Sequence, residues 1–217
     1  MLLLVAKLVS SYLLGSVIGS LFVGGLRGGV DIRTVGSGNP GGTNALRTQG
    51  RAFAAWVMLI DVGKAVLAVT LVAHSRLPAL GGDALAPDPT ALACGAAAVV
   101  GHVWPVFYGF RGGKGAATLV GTLAAAAPLA LVPVLGVFAL SLVASGYVGI
   151  STILACWSLP LAVALVPAVG VQDPLFLFGV AMAGFISWTH RSNIARMRAG
   201  TEHRFERVML FRRRTGV

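Results

Sequence analysis

Residues 116–150 are a run of 35 without one charged side chain. As a single helix the run would far exceed the roughly 20 residues that cross a bilayer core of about 30 Å. Pro128 and Pro133 interrupt it, and proline breaks helix hydrogen bonding. Two short passes meeting near residue 128 are therefore expected. Further apolar runs recur along the chain. Hydrophobic residues make up 56% and charged residues 11%, which excludes an ordinary soluble domain. In lipid every backbone N–H and C=O must be satisfied within the segment or by its neighbours, which selects helices. The expected fold is an all-α polytopic membrane protein of one domain, residues 1–217. Its seven transmembrane helices fall near 2–26, 52–73, 90–107, 116–128, 132–149, 151–169 and 174–189, before a basic tail at 190–217. The first run has no basic segment ahead of it and no clear small-residue cleavage site, so it is read as a retained helix. Cys94 and Cys156 both lie in apolar runs and point to no metal site.

The formal net charge is +10. Its layout argues against a nucleic-acid partner. Segments 27–51, 108–115 and 190–217 hold 14 of the 17 basic residues, while the loops on the other side hold Arg76, Asp83, Asp88 and Asp173. The positive-inside rule then places those three segments in the cytoplasm, the N-terminus outside and the C-terminus inside. A single pass through 116–150 would leave the tail's eight cations outside, which disfavours six passes.

The basic segments also carry the unusual residues. The stretch 101–118, GHVWPVFYGFRGGKGAAT, sets Arg111 and Lys114 among Gly112, Gly113 and Gly115. Glycines let backbone N–H groups approach an anion closely, and the two cations add charge, so a phosphate is the natural ligand. A nucleotide P-loop is excluded, because Tyr108 and Gly115 stand where that motif needs Gly and Ser or Thr. His102 at the start of the stretch is either a hydrogen-bonded structural residue or a direct participant. Segment 36–47, GSGNPGGTNALR, is dense in hydrogen-bonding groups that could cradle a phosphate or polyol. Its bland alternative is a flexible loop capping the second span, with Asn44 near the helix start. Asp61 and Lys64 stand at i and i+3 inside that span, spaced to pair either as a structural brace or as part of an intramembrane site. After the last span, His190 and Asn193 share one face if the helix continues. Arg191 and Arg196 read as possible interfacial anchors, and Arg198, Arg204, Arg207, Arg212, Arg213 and Arg214 as residues that meet anionic headgroups. Ser151 and Thr152 follow a turn on the same expected side.

Three motifs in order, SGNPGGTNALR at 37–47, GHVWPVFYGFRGGKGAAT at 101–118 and HRSNIARMRAG at 190–200, resemble the bacterial acyl-phosphate:glycerol-3-phosphate acyltransferases, the PlsY family. The resemblance implies a seven-helix enzyme of the bacterial cytoplasmic membrane, with its active site on the cytoplasmic face. It would acylate the 1-hydroxyl of glycerol 3-phosphate from acyl phosphate, giving lysophosphatidic acid and phosphate, among membrane lipid and without a cofactor. By position it implies that Ser37, Arg47, Lys114, His190 and Asn193 line the phosphate and glycerol sites, with His190 and Asn193 nearest the chemistry. Asn39, Gly41, Thr43 and Asn44 would shape the substrate-facing first loop, and His102 would support the second. At the third turn the family pattern Arg-Tyr-Val-Ser is replaced by Gly146-Tyr147-Val148-Gly149, so Ser151 or Thr152 is expected to substitute.

An acyl phosphate is already activated, so positioning and charge stabilisation are the main contributions such a site needs. No nucleophile–base pair occurs in the motifs, so neither an acyl-enzyme nor a metal is expected. None of the four histidines has an Asp five positions on, which disfavours the His/Asp chemistry of other glycerolipid acyltransferases. His190 is expected either as general base or as the residue that orients the hydroxyl. A secondary transporter of a phosphate-bearing anion is the alternative from another class. It would place its binding groups near the midplane and often shows inverted repeats, whereas here the groups crowd one expected face. A lipid-binding scaffold would leave the three motifs unexplained.

Overall fold

The computed structural model describes residues 1–74, 88–166 and 170–210. Most of the expected loop 74–89, with Arg76 and Asp83, the end of the expected span 151–169, and the tail beyond 210 with Arg212, Arg213 and Arg214 lie outside the described residues. Among the described residues every regular element is helical. The chain divides into two compact units, 1–128 and 129–217.

The first unit begins with α1 (Leu2–Gly15) and α2 (Gly19–Leu26), bent by 50° at their junction. The first expected span is thus broken, although no proline stands there. The break leaves backbone groups to satisfy in an apolar setting. The Val17 carbonyl accepts from Lys64 Nζ at 2.6 Å, and the Gly19 N–H donates to Asp61 Oδ1 at 3.1 Å. The charged pair of the second span is what makes the break tolerable.

The first loop contains a one-turn 3-10 helix (Ile32–Thr34) and a helix of its own, α3 (Gly42–Gln49). It is no flexible connector. Ile32 and Ala45 are fully buried in one cluster with Val23 of α2 and with Phe53, Ala54 and Val57 of α4 (Arg51–Leu67), and Ser20 Oγ donates to the Pro40 carbonyl at 2.7 Å. α4 runs on as a π-helical turn, Ala68–Val72. α5 (Pro89–Val103) starts with Asp88 accepting from Thr90 N–H and with Pro89 in the first turn. α6 (Ala116–Ala126) follows the glycine-rich loop. Small residues let these helices approach closely: a Cβ on Gly15 would strike the Ala98 backbone, and one on Gly121 the Val62 carbonyl.

The uncharged run does split near Pro128, into α6 and α7 (Leu131–Ser145) on either side of a 3-10 turn. In the second unit α7 packs on α8 (Val148–Ala164), and α8 on α9 (Pro174–Thr189). Asp173 and Pro174 start α9 as Asp88 and Pro89 start α5. α10 (Arg191–Arg198) is the last α-helix among the described residues, ahead of a 3-10 turn at Glu206–Val208.

Among the described residues three helices are long and apolar enough to cross a membrane: Arg51–Val72, Pro89–Tyr108 and Pro128–Ser145. The bent α1–α2 pair makes a fourth if counted as one span. Ala116–Ala126, Val148–Ala164 and Pro174–Thr189 are apolar but shorter. Leu140 and Val132 on α7, 73% and 70% exposed, have the side-chain character of a lipid-facing surface.

Candidate active site

In the first unit the loop motif is organised by Asn44, which is 1% exposed. Its Nδ2 donates to the Ile32 and Val35 carbonyls, each at 3.0 Å, and its Oδ1 accepts from the Ser37 N–H at 3.0 Å. Both amide donors are thus used inside the loop, which makes Asn44 a shaping residue and leaves it no donor for substrate. Ser37 is exposed and Arg47, in the last turn of α3, is half-buried. Gly41 is the residue before the first turn of α3, and a side chain on it would collide with the Asn39 amide folded over it. Thr43 is half-buried in that first turn.

The second loop rests on His102, 2% exposed. Lys64 Nζ lies 2.8 Å from His102 Nδ1, 3.0 Å from Asp61 Oδ1 and 2.6 Å from the Val17 carbonyl. An ammonium has three protons and here finds three acceptors. His102 Nδ1 is therefore the lone-pair nitrogen and Nε2 carries the proton; the 3.4 Å approach of Nδ1 to Asp61 Oδ1 is a contact of two acceptors. The other side of the ring lies where a Cβ on Gly113 would be, and the His102 carbonyl where one on Gly112 would be. The glycines of the motif therefore do not serve as first expected. The N–H groups of Gly112 and Gly113 donate to the Val103 and His102 carbonyls, at 3.2 and 3.0 Å, rather than facing outward as an anion cradle. Lys114, half-buried, follows directly and precedes Gly115 (φ 85°), the cap of α6.

Asp31 and Arg33 join the two loops, and neither stands out in the sequence. Asp31 Oδ2 accepts from Arg33 Nη2 at 2.8 Å and Nε at 3.1 Å, and Oδ1 accepts from the Arg33 N–H at 2.9 Å. Arg33 Nη1 donates to the carbonyls of Tyr108 and Arg111, both at 3.3 Å. The hydrogen bonds from Arg33, with a smaller contribution from the Arg111 charge, hold the Asp31 carboxyl below its usual range, against the effect of burial. Asp31 in turn raises the Arg33 guanidinium. A carboxylate lowered on folding stabilises above its unfolded value and loses that contribution as pH falls through the folded one. The pair is therefore intact throughout the neutral range. Between the two clamped carbonyls lie Gly109 and Phe110; Phe110, at φ 58°, has the one positive φ of a non-glycine among the described residues. Such a backbone costs on the order of 1–3 kcal/mol and persists only where neighbours impose it.

In the second unit α9 does not continue through the motif. It ends at Thr189, and His190 (φ −93°, ψ 5°) begins α10. His190 and Asn193 are linked instead by the turn at the start of α10, Asn193 N–H to His190 carbonyl at 2.9 Å. His190 is 5% exposed, and its Nδ1 lies 2.8 Å from the Ile186 carbonyl, which can only accept. Nδ1 carries the proton, and in the neutral ring Nε2 is the acceptor. Asn193 Nδ2 donates to Glu202 Oε1 at 2.7 Å, while Glu202 Oε2 takes Arg196 Nε at 2.6 Å. Arg196 is thus internally paired. Glu202 was missed from the sequence because nothing in its spacing announces that Gly200 (φ 70°) turns the chain back.

The third turn differs from expectation. Ser151 is fully buried and its hydroxyl donates to the Tyr147 carbonyl at 2.8 Å; Thr152, 7% exposed, bonds back to Val148 in the same way. Both hydroxyls thus donate within α8. Gly149 packs against the Asn193 side chain, where a Cβ would not fit. Arg204, read from the sequence as a headgroup anchor, donates from Nε to the Ser145 carbonyl at 2.9 Å and lies 5.4 Å over the Tyr147 ring.

Apolar helices with exposed aliphatic faces, and polar side chains gathered at their ends, define an α-helical integral membrane protein. Comparison with known proteins narrows the class. The glycerol-3-phosphate acyltransferase family profile matches residues 5–200. The chain is 39% identical to the glycerol-3-phosphate acyltransferase of Chlorobaculum tepidum, over 94% of this chain and 97% of that protein. It is 38% identical to that of Chlorobium luteolum over the same shares. A crystal structure of PlsY (YgiH), an integral membrane glycerol 3-phosphate acyltransferase in its glycerol 3-phosphate form, superposes with a TM-score of 0.80 at 31% identity, covering 93% of this chain and 95% of that one. The lysophosphatidic acid form gives 0.77 at 30% identity, covering 93% and 94%. The chain belongs to the glycerol-3-phosphate acyltransferase family.

Proposed function

We propose that this protein transfers an acyl group to the 1-hydroxyl of glycerol 3-phosphate and releases lysophosphatidic acid. Family membership carries the reading, with the whole-length likeness to an enzyme solved in glycerol 3-phosphate and lysophosphatidic acid forms. The donor in this reading is acyl phosphate. The missing His/Asp pair and the cations Arg47 and Lys114 support a reaction between two phosphate-bearing substrates.

In the proposed mechanism Ser37, Arg47 and Lys114 bind phosphate, lowering the repulsion between the two anions and holding them for attack. Asn193, its amide set by Glu202, and His190, its ring set by the Ile186 carbonyl, act on the glycerol. His190 Nε2 accepts from the neighbouring glycerol hydroxyl and so orients the 1-hydroxyl, which attacks the acyl carbonyl carbon with its own proton directed to an oxygen of the donor phosphate. The C–O bond to phosphate breaks, and the hydroxyl proton leaves with the phosphate as hydrogen phosphate. Asn39, Gly41, Thr43 and Asn44 keep the first loop in shape, and His102 supports the loop of Lys114.

The same reading has seven passes: the bent pair counted once, the three long helices, and α6, α8 and α9. It treats residues 1–217 as one acyltransferase domain in the bacterial cytoplasmic membrane, with both the motifs and the C-terminus cytoplasmic. The basic distribution along the chain supports that orientation. The test uses purified protein in detergent with glycerol 3-phosphate and either acyl phosphate or acyl-CoA, measuring lysophosphatidic acid and phosphate. Turnover is expected with acyl phosphate alone. No product from either donor would end the functional reading, and turnover with acyl-CoA at an equal or higher rate would end the donor assignment.

A further inference from the structure

We propose that Arg33 is a positioning residue that clamps the Tyr108–Arg111 turn in a strained backbone and so fixes where Lys114 presents its charge. The inference rests on the reading of Lys114 as a phosphate ligand. Three observations carry it. The guanidinium reaches across 75 and 78 residues of sequence to two carbonyls, Tyr108 and Arg111, that bracket Gly109 and Phe110. Phe110 holds a positive φ of 58° while the residue is 57% exposed, so burial does not explain the conformation. A hydrogen bond from the Phe110 N–H to the Pro105 carbonyl at 2.9 Å secures one side of the turn; on the other, Arg33 adds to the Arg111 N–H bond that the Tyr108 carbonyl accepts at 3.4 Å.

Asp31 explains why an arginine is used here. It engages Nε and Nη2 and leaves Nη1 for the two carbonyls. The guanidinium charge is balanced within the loop, so Arg33 aims the turn and does not compete for substrate phosphate. The pair is itself held in place by Ile32, fully buried between Asp31 and Arg33 in the core shared with α2 and α4. A rigid core thereby reaches the Lys114 loop through one side chain.

The experiment is steady-state kinetics on purified Arg33→Gln, Asp31→Asn and Phe110→Gly, and on the Arg33→Gln/Phe110→Gly double variant, with Lys114→Ala as reference. Turnover by the unaltered protein tests the functional reading separately, so a dead wild type and a failed clamp are told apart. Loss of the clamp is expected to raise KM about tenfold for the same substrate that Lys114→Ala affects, with kcat changed less, as for a binding group slightly misplaced. Asp31→Asn should shift KM in the same direction, because Arg33 loses the partner that aims it. Glycine adopts positive φ without strain, so the Arg33→Gln penalty should shrink in the Phe110→Gly background, a rescue that a general packing defect would not show. An equal penalty in both backgrounds overturns the proposal. So does a lower KM in Asp31→Asn, which would mean that a released Arg33 binds phosphate itself. If Arg33→Gln does not fold, the Asp31→Asn result still decides.

Discussion

His190 shows how one hydrogen bond sets a residue's chemistry. A carbonyl 2.8 Å from Nδ1 fixes the tautomer and makes Nε2 the accepting nitrogen of the neutral ring. The leaving phosphate is itself a base, so the proposed mechanism has His190 orient the hydroxyl. His190→Gln, which can still accept a hydrogen bond, is then expected to stay within about tenfold of wild-type kcat, short of the 10²–10⁴ that general-base catalysis contributes. His190→Ala should lose substantially more. Kinetics of the two variants side by side make the check, and a glutamine variant as inactive as the alanine one would assign the proton transfer to His190.

At the scale of elements, the break between α1 and α2 depends on a charged pair in α4. Asp61 and Lys64 are 1% and 4% exposed, and each serves backbone at the break. Removing one partner of a buried pair strands the other, at a cost of about 3–5 kcal/mol. Lys64→Met should therefore lower the detergent melting temperature markedly. It would strand the Asp61 carboxylate, the Val17 carbonyl and His102 Nδ1 together. Asp61→Leu combined with Lys64→Met should recover part of the loss, because no isolated charge remains. A Lys64→Met protein that melts like wild type would show that the break is held by other contacts.

For the whole molecule the open quantity is the number of crossings. α9 is 16 residues long, about 24 Å at the usual helical rise, short of a bilayer core of about 30 Å. Its flanks are polar at both ends, with Asp173 before it and Arg191 after it. Gln172→Cys and Ala199→Cys, each in a background with Cys94 and Cys156 replaced by alanine, are expected to label from opposite sides of intact cells, Gln172→Cys from outside. Labelling of both from one side would remove α9 from the set of crossings and with it the odd number of passes.

The helical class, the split near Pro128, the pairing of Asp61 with Lys64 and the family, through three motifs, were legible in the sequence. Each depends on local chemistry: apolar run length, proline, an i,i+3 spacing, or glycine beside cations. Some of what tertiary structure decided is absent from local patterns because its partners are far apart in the chain. Arg33 meets Tyr108 and Arg111, Lys64 meets Val17 and His102, and Glu202 meets Asn193 only after the backbone has turned. The same holds for residues whose meaning reversed. Gly112 and Gly113 looked like an anion cradle, yet the His102 backbone and ring leave no space for a Cβ at either. Ser151 was expected as a substrate contact, and its buried hydroxyl donates to the Tyr147 carbonyl within α8. A sequence states which groups a chain can offer. Which of them remain available once the backbone has claimed its hydrogen bonds is decided by packing, because an unsatisfied polar group inside an apolar helix bundle costs more than a surface residue can return.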